Sequence, residues 1–87
     1  MMELFPINKE VNVSAYYFRS RRPGMRTFPK RIELDGTEYT FAENGLGYLV
    51  RKGTEIVRLF DMSDGNNTFR LRNSGSQWTL IGMKAGQ

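Results

Sequence analysis

Residues 55–83, EIVRLFDMSDGNNTFRLRNSGSQWTLIGM, decide the fold, because two clusters of turn-forming residues cut them into three runs of strand length. In the middle run, Thr68-Phe69-Arg70-Leu71-Arg72 alternates without a fault, so Phe69 and Leu71 share one face and Thr68, Arg70 and Arg72 the other. Ser63-Asp64-Gly65-Asn66-Asn67 before it and Asn73-Ser74-Gly75-Ser76 after it supply the Gly and Asn residues that tolerate positive φ. Each cluster reads as a hairpin connection, and the stretch as an antiparallel meander with one dry face.

Working outward, Lys30-Arg31-Ile32-Glu33-Leu34 and Thr37-Glu38-Tyr39-Thr40-Phe41-Ala42 flank Asp35-Gly36, a preferred type I′ pair, and form the clearest hairpin. Residues 46–51 form a short apolar run between Gly-containing clusters that fits a strand or a turn of helix, and strand is the preferred reading. For residues 55–62, helical spacing of Ile56, Leu59 and Phe60 competes with strand. Shortness, β-branching at Ile56 and Val57, and a Gly-rich exit into an unambiguous strand favour strand. Residues 11–18 alternate and become aromatic towards their end, another strand pattern. Residues 1–10 read as an irregular entry segment interrupted by Pro6, and residues 19–31 as a basic loop around Pro23-Gly24. The expected fold is a single all-β domain over 1–87, an antiparallel meander of six to seven strands forming a curled sheet or open barrel.

The expected core contains Tyr39, Phe41, Tyr48, Val50, Ile56, Phe60, Phe69, Leu71, Trp78 and Leu80. The opposite face then holds Leu49, Val57, Leu59, Ile81 and Met83, too many apolar groups to leave bare in one patch. Residues 1–18 wrapping back, closure of a barrel or a second copy of the chain would each cover them.

Eighty-seven residues allow one small domain with a modest core. Neither cysteine nor histidine is present, which removes disulfides, thiolate metal sites, the commonest metal ligand and the usual general base at neutral pH. The 61–67 segment, DMSDGNN, groups oxygen ligands around a glycine, but Gly65 is fifth and Arg72 twelfth counting from Asp61, so the EF-hand pattern fails and an Asx-type turn accounts for it. Gly45-Leu46-Gly47 lacks the context of a phosphate loop. A non-enzymatic protein without metal or cofactor is expected. The N-terminal residues lack a secretory pattern and no run approaches the roughly 20 apolar residues of a membrane span, so a cytoplasmic protein without a membrane partner is expected.

The net charge of +4 is unevenly placed. Residues 1–31 carry seven basic and two acidic side chains, a net of +5, and the remainder carries six basic and seven acidic, a net of −1. Six of the basic groups fall within residues 19–31 with no acid among them: Arg19, Arg21, Arg22, Arg26, Lys30 and Arg31. Arginine pairs bidentately with phosphate and stacks on bases, and a neighbouring aromatic such as Tyr16 offers a stacking platform. Arg70 and Arg72, on one strand face with Arg58 one strand over, extend these candidates into a basic stripe, or pair instead with Asp61, Glu38 or Glu55. Two partner classes follow: nucleic acid bound through 19–31, or a protein bound through an apolar sheet face or an exposed edge, with the chain a monomer or a homodimer.

Overall fold

The structure, a computed structural model, describes residues 4–21, 24–42 and 45–86, and within them not the side chains of 19–21 and 24–26. Its strands are β1 (Phe5–Arg21), β2 (Gly24–Leu34), β3 (Thr37–Thr40), β4 (Leu46–Lys52), β5 (Glu55–Ser63), β6 (Asn67–Ser74) and β7 (Gln77–Ala85). They form one antiparallel sheet in the order β3-β2-β1-β7-β6-β5-β4. Six or seven strands in a curled meander was the expectation, and seven are present. Runs 46–51 and 55–62 are both strand.

β1 organises the sheet because it serves two partners in succession. Its first half pairs with β7, from Phe5↔Met83 to Val11↔Trp78, and its second half with β2, from Asn12↔Glu33 to Arg21↔Gly24. Two register shifts fall where the partners change, with Ser14 the extra residue on β1 and Lys30 the extra residue on β2. A third bulge lies between Pro6 and Lys9, where Asn8 takes φ 55, a left-handed conformation that asparagine tolerates. Such bulges bend and twist strands, so the sheet folds over on itself. The expected entry segment 1–10 is therefore strand from Phe5 onward, Pro6 being accommodated beside a bulge at the end of a ladder. The expected loop 19–31 is likewise strand on both sides of residues 22–23, which lie outside the described residues. Like charge had argued for a loop there, but extended backbone holds neighbouring side chains on alternate faces and tolerates it.

Curling is visible in contacts between strands far apart in the sheet. Phe28 of β2 meets Phe60 of β5 edge to face at 5.5 Å, and Ala42, just after β3, donates its N–H to the carbonyl of Ser63 on β5 at 2.7 Å. Inside the curl lie Val11, Phe28, Ile32, Phe41, Phe60, Met62, Phe69, Leu71, Trp78 and Leu80. Phe69 sits between Tyr39 and Phe41, and Phe60 between Phe28 and Trp78, in tilted or edge arrangements that aromatic quadrupoles favour. The hydroxyl of Tyr17 donates to the carbonyl of Phe41 at 2.7 Å, which closes the polar end of a ring otherwise packed on the core.

The turns are as the residue types require. Asp35 and Gly36 have φ 51 and 81, the two positive values of a type I′ turn, and Asp64 Oδ1 accepts the N–H groups of Asn66 and Asn67 at 2.9 and 2.8 Å as an Asx turn. One assignment of faces is corrected. The β4–β5 register places Gly47 opposite Phe60 and Leu49 opposite Arg58, so Gly47 and Leu49 take the inner side while Tyr48 and Val50 face outward. Val50 and Ile56 are 39% and 56% exposed and belong to no core, because the β4–β5 hairpin runs past the end of the packed region. Met83, opposite Phe69, is internal because the bulge at Ile81 between Arg70 and Leu71 shifts the phase of β7.

Trp78 is 8% exposed and touches Phe60. Trp78→Ala should cost about 3–5 kcal/mol, as large aromatic truncations in a core do, and the loss is read as a lowered urea midpoint. Since Trp78 is the single tryptophan, native fluorescence should resist iodide quenching until the domain unfolds.

Candidate functional site

Period-two alternation along β5 puts Arg58 on the same face as Phe60 and Met62. An arginine in an apolar row must carry its charge to an opening, and Arg58 does so across the curl: its Nη2 donates to the carbonyl of Thr27 at 3.3 Å, and its guanidinium lies 5.1 Å from the Phe60 ring centroid. The stack desolvates one guanidinium face against an aromatic quadrupole. Arg58 is thus on the opposite side of the sheet from Arg70 and Arg72, and no stripe joins the three.

Two hollows share Arg58 and Thr27 as a partition. One is a cleft of about 480 Å³ between β2 and the β4–β5 hairpin, lined by Thr27, Phe28, Gly47, Tyr48, Leu49, Arg58 and Phe60. Gly47 packs closely there: a Cβ would stand 3.2 Å from carbons of both Phe28 and Phe60, so the rings would have to give by a few tenths of an ångström. The other hollow, about 370 Å³, lies at the mouth of the curl between the β1–β2 ribbon and the β6–β7 turn. Tyr16, Phe18, Thr27, Arg58, Asn73, Gly75, Ser76 and Trp78 line it.

The mouth is aromatic and wet. Tyr16 is 39% and Phe18 66% exposed, and Tyr16 leans on the buried Trp78 with centroids 6.3 Å apart. Asn73 holds a fixed pose because its Nδ2 donates to the carbonyls of Gly75 and Gln77 at 3.2 and 3.3 Å. Flat exposed rings, one guanidinium and one fixed amide are groups that hold a planar, polar-edged ligand by stacking and edge hydrogen bonds.

The sequence-derived candidates are dispersed relative to this mouth. Tyr16 belongs to it. Arg19 and Arg21 continue β1 beyond Tyr16 and Phe18, and Arg26 lies on β2 opposite Arg19, their side chains and the whole of Arg22 being outside the described residues. Lys30 places its Nζ 5.5 Å from the Tyr17 ring centroid, and Arg31 is half-buried between its partners Ala15 and Thr40. Arg70 is engaged on the outer face: its Nε and Nη2 donate to the two carboxylate oxygens of Asp61 at 2.9 and 3.0 Å. That hydrogen bond raises the guanidinium pKa further above its ordinary range. Arg72 is exposed on the same outer face, opposite Leu59 and Thr79. Phe18 and Asn73 are not among the sequence-derived candidates, and Arg58 is there only as a member of a stripe with Arg70 and Arg72. For Phe18 and Arg58 the signal was legible, since Phe18 alternates with Tyr16 and Arg58 with Phe60, whereas nothing in the sequence marks Asn73.

Among the described residues, no three Asp or Glu side chains cluster as a metal site and no helix is long and apolar enough to cross a membrane. Comparison with known protein families, with characterised proteins and with solved structures finds no match to this chain.

The outer face makes three predictions. Asp61→Ala leaves the half-buried Arg70 without its bidentate acceptor and should cost about 1–2 kcal/mol, while Arg72→Ala should stay within about 0.5 kcal/mol of the parent in urea unfolding. Tyr48, whose hydroxyl donates to Asp61 at 3.5 Å, has its pKa raised above 10.0, first by burial and then by the Asp61 charge. Below the ordinary tyrosine range its phenol is neutral in both folded and unfolded chains and its contribution is intact. As pH rises through that range the unfolded chain ionises first, and stability falls. Tyr48→Phe should flatten this alkaline decline in a series of denaturation curves.

Proposed function

We propose that the chain is a non-enzymatic binding module for single-stranded nucleic acid, with phosphate held by the basic strands over 19–31 and bases stacked at the mouth of the curl. The observation that carries it is the exposure of Tyr16 and Phe18 on the ribbon that continues directly into Arg19 and Arg21 and pairs with the strand bearing Arg26. Apolar rings left in water beside a dense cationic run are costly as surface and useful as a platform, since every base offers a π-face and every nucleotide a phosphate. A rigid duplex cannot present unstacked bases to these rings, which is why a single strand is favoured. Arg58 and Asn73 add hydrogen-bonding groups at the inner wall. Arg70 and Arg72 face the other side of the sheet and supply only general positive potential.

Fluorescence anisotropy with labelled oligo-dT and oligo-U tests this. Binding should weaken steeply as salt rises, because counterions are released from each neutralised phosphate. Phe18→Ala and Tyr16→Ala should each weaken binding by roughly 5-fold to 150-fold, the span of roughly 1–3 kcal/mol per stacked base, with the urea midpoint of Phe18→Ala unchanged. Glu at positions 19, 21 and 22 together should abolish binding while leaving the circular dichroism spectrum of the parent. Failure of the parent to bind single-stranded DNA or RNA at low salt overturns the reading.

A further inference from the structure

We propose that the β4 edge pairs with the β4 edge of a second copy, antiparallel across a two-fold axis through Leu49, joining two sheets into one. β4 ends the sheet, and four of the exposed large hydrophobic residues gather on its hairpin: Leu46 at 62%, Leu49 at 68%, Val50 at 39% and Ile56 at 56%. Leu46 and Val50 face one side of the ribbon and Leu49 and Ile56 the other, so apolar surface is exposed on both faces.

Open backbone on β3 and β2 is guarded. β3, at the far end of the sheet, has only four residues. On β2, Pro29 brings no N–H, and the outward carbonyl of Thr27 is taken by Arg58. Short strands, proline and covering side chains are the usual protections of an edge. From Gly47 to Val50, β4 has neither proline nor charge.

The register follows from the ladder. Gly53 and Thr54 form a two-residue turn, so Lys52↔Glu55 is the closing hydrogen-bonded pair, and alternation sends the amides of Tyr48, Val50 and Lys52 to β5. Those of Gly47, Leu49 and Arg51 point outward. Centring the two-fold on Leu49 sets 47 opposite 51, 49 opposite 49 and 51 opposite 47. All three outward residues then find partners within the strand. Shifting the centre by one residue either way throws one pair off a strand end, onto 45 or 53. The side chains agree: Leu49 meets Leu49 on the inner side, Tyr48 meets Val50 on the outer side, and Arg51 lies opposite Gly47 instead of another cation. Antiparallel pairing also sends the two basic β1–β2 ribbons to opposite ends, whereas a parallel arrangement would set Arg51 and Lys52 against their own copies. In this register Arg51 and Lys52 of each copy lie opposite Gly47 and Leu46, so no cation faces its own copy. A second copy therefore satisfies hydrogen bonds, apolar contacts and charge together, as an isologous interface requires.

The test uses sedimentation velocity over a concentration series together with cysteine cross-linking, which the cysteine-free chain makes unambiguous. The parent should form a dimer whose fraction rises with concentration and persists in high salt. Leu49→Pro removes an outward N–H without taking a hydrogen bond from β5, so it should give a monomer with the parent's circular dichroism and thermal midpoint. Leu49→Cys should cross-link under mild oxidation, because residues facing each other across the axis have Cα atoms about 5.5 Å apart, within disulfide reach. Lys52→Cys should not, its two copies lying about 20 Å apart at about 3.4 Å per residue. A parent monomeric at every concentration overturns the proposal, as does a dimer that survives Leu49→Pro or cross-linking of Lys52→Cys as readily as Leu49→Cys. Should Leu49→Pro misfold, the two cysteine variants decide alone.

Discussion

A seven-stranded sheet has two faces, and the buried apolar side chains described in this eighty-seven-residue chain form a single cluster against one of them. That constraint governs the molecule. The sheet must bring its apolar face against itself, and β1 makes this happen by pairing first with β7 and then with β2, two adjacent bulges bending it just inside the second ladder. Phe28 and Ile32 are thereby carried over Phe60, Phe69 and Leu80, and a single core forms between strands that are not neighbours in the sheet. Phe69, Ile32, Met62, Leu71 and Leu80, all fully buried, lie within this fold-over, and Pro29, also fully buried, is next to the extra residue Lys30 on β2.

Closing the curl incompletely leaves specific chemistry at its rims. Arg58 lies on the inner face because β5 alternates, and the only low-cost position for its charge is the opening, where Phe60 shields one face and Thr27 accepts one N–H. The residues around it differ in origin: Tyr16 and Phe18 come from β1, Asn73 and Trp78 from the β6–β7 hairpin. A mouth built from three parts of the chain is rigid by virtue of the core beneath it, since Trp78 is at once a core residue and the floor on which Tyr16 rests. The outer face follows a different rule. There Asp61 neutralises Arg70 and accepts from Tyr48, so its most central charges serve the sheet.

The two hairpins that leave the core carry opposite surface character. The β1–β2 ribbon continues past the packed region with arginines, and the β4–β5 ribbon with Leu49, Val50 and Ile56. Extended ribbons expose backbone as well as side chains, and the β4 edge combines outward amides with apolar groups on both faces.

By itself the sequence determined the elements. Alternation at 68–72, the Asp35-Gly36 pair, and the Gly-Asn clusters are local signals, because turn type and strand face depend on φ preferences and a period of two that neighbouring residues alone impose. Burial of Trp78, Phe69 and Leu71 and the uneven charge were legible for the same reason. Tertiary structure decided the rest: that residues 5–10 and 24–31 are strand, that Tyr48 and Val50 face outward, that Met83 is internal, and that Arg58 and Arg70 lie on opposite sides of the sheet. A one-residue register change or bulge exchanges the two faces of a strand, and its position is set by which distant strand pairs with it, a matter of packing that no local pattern contains.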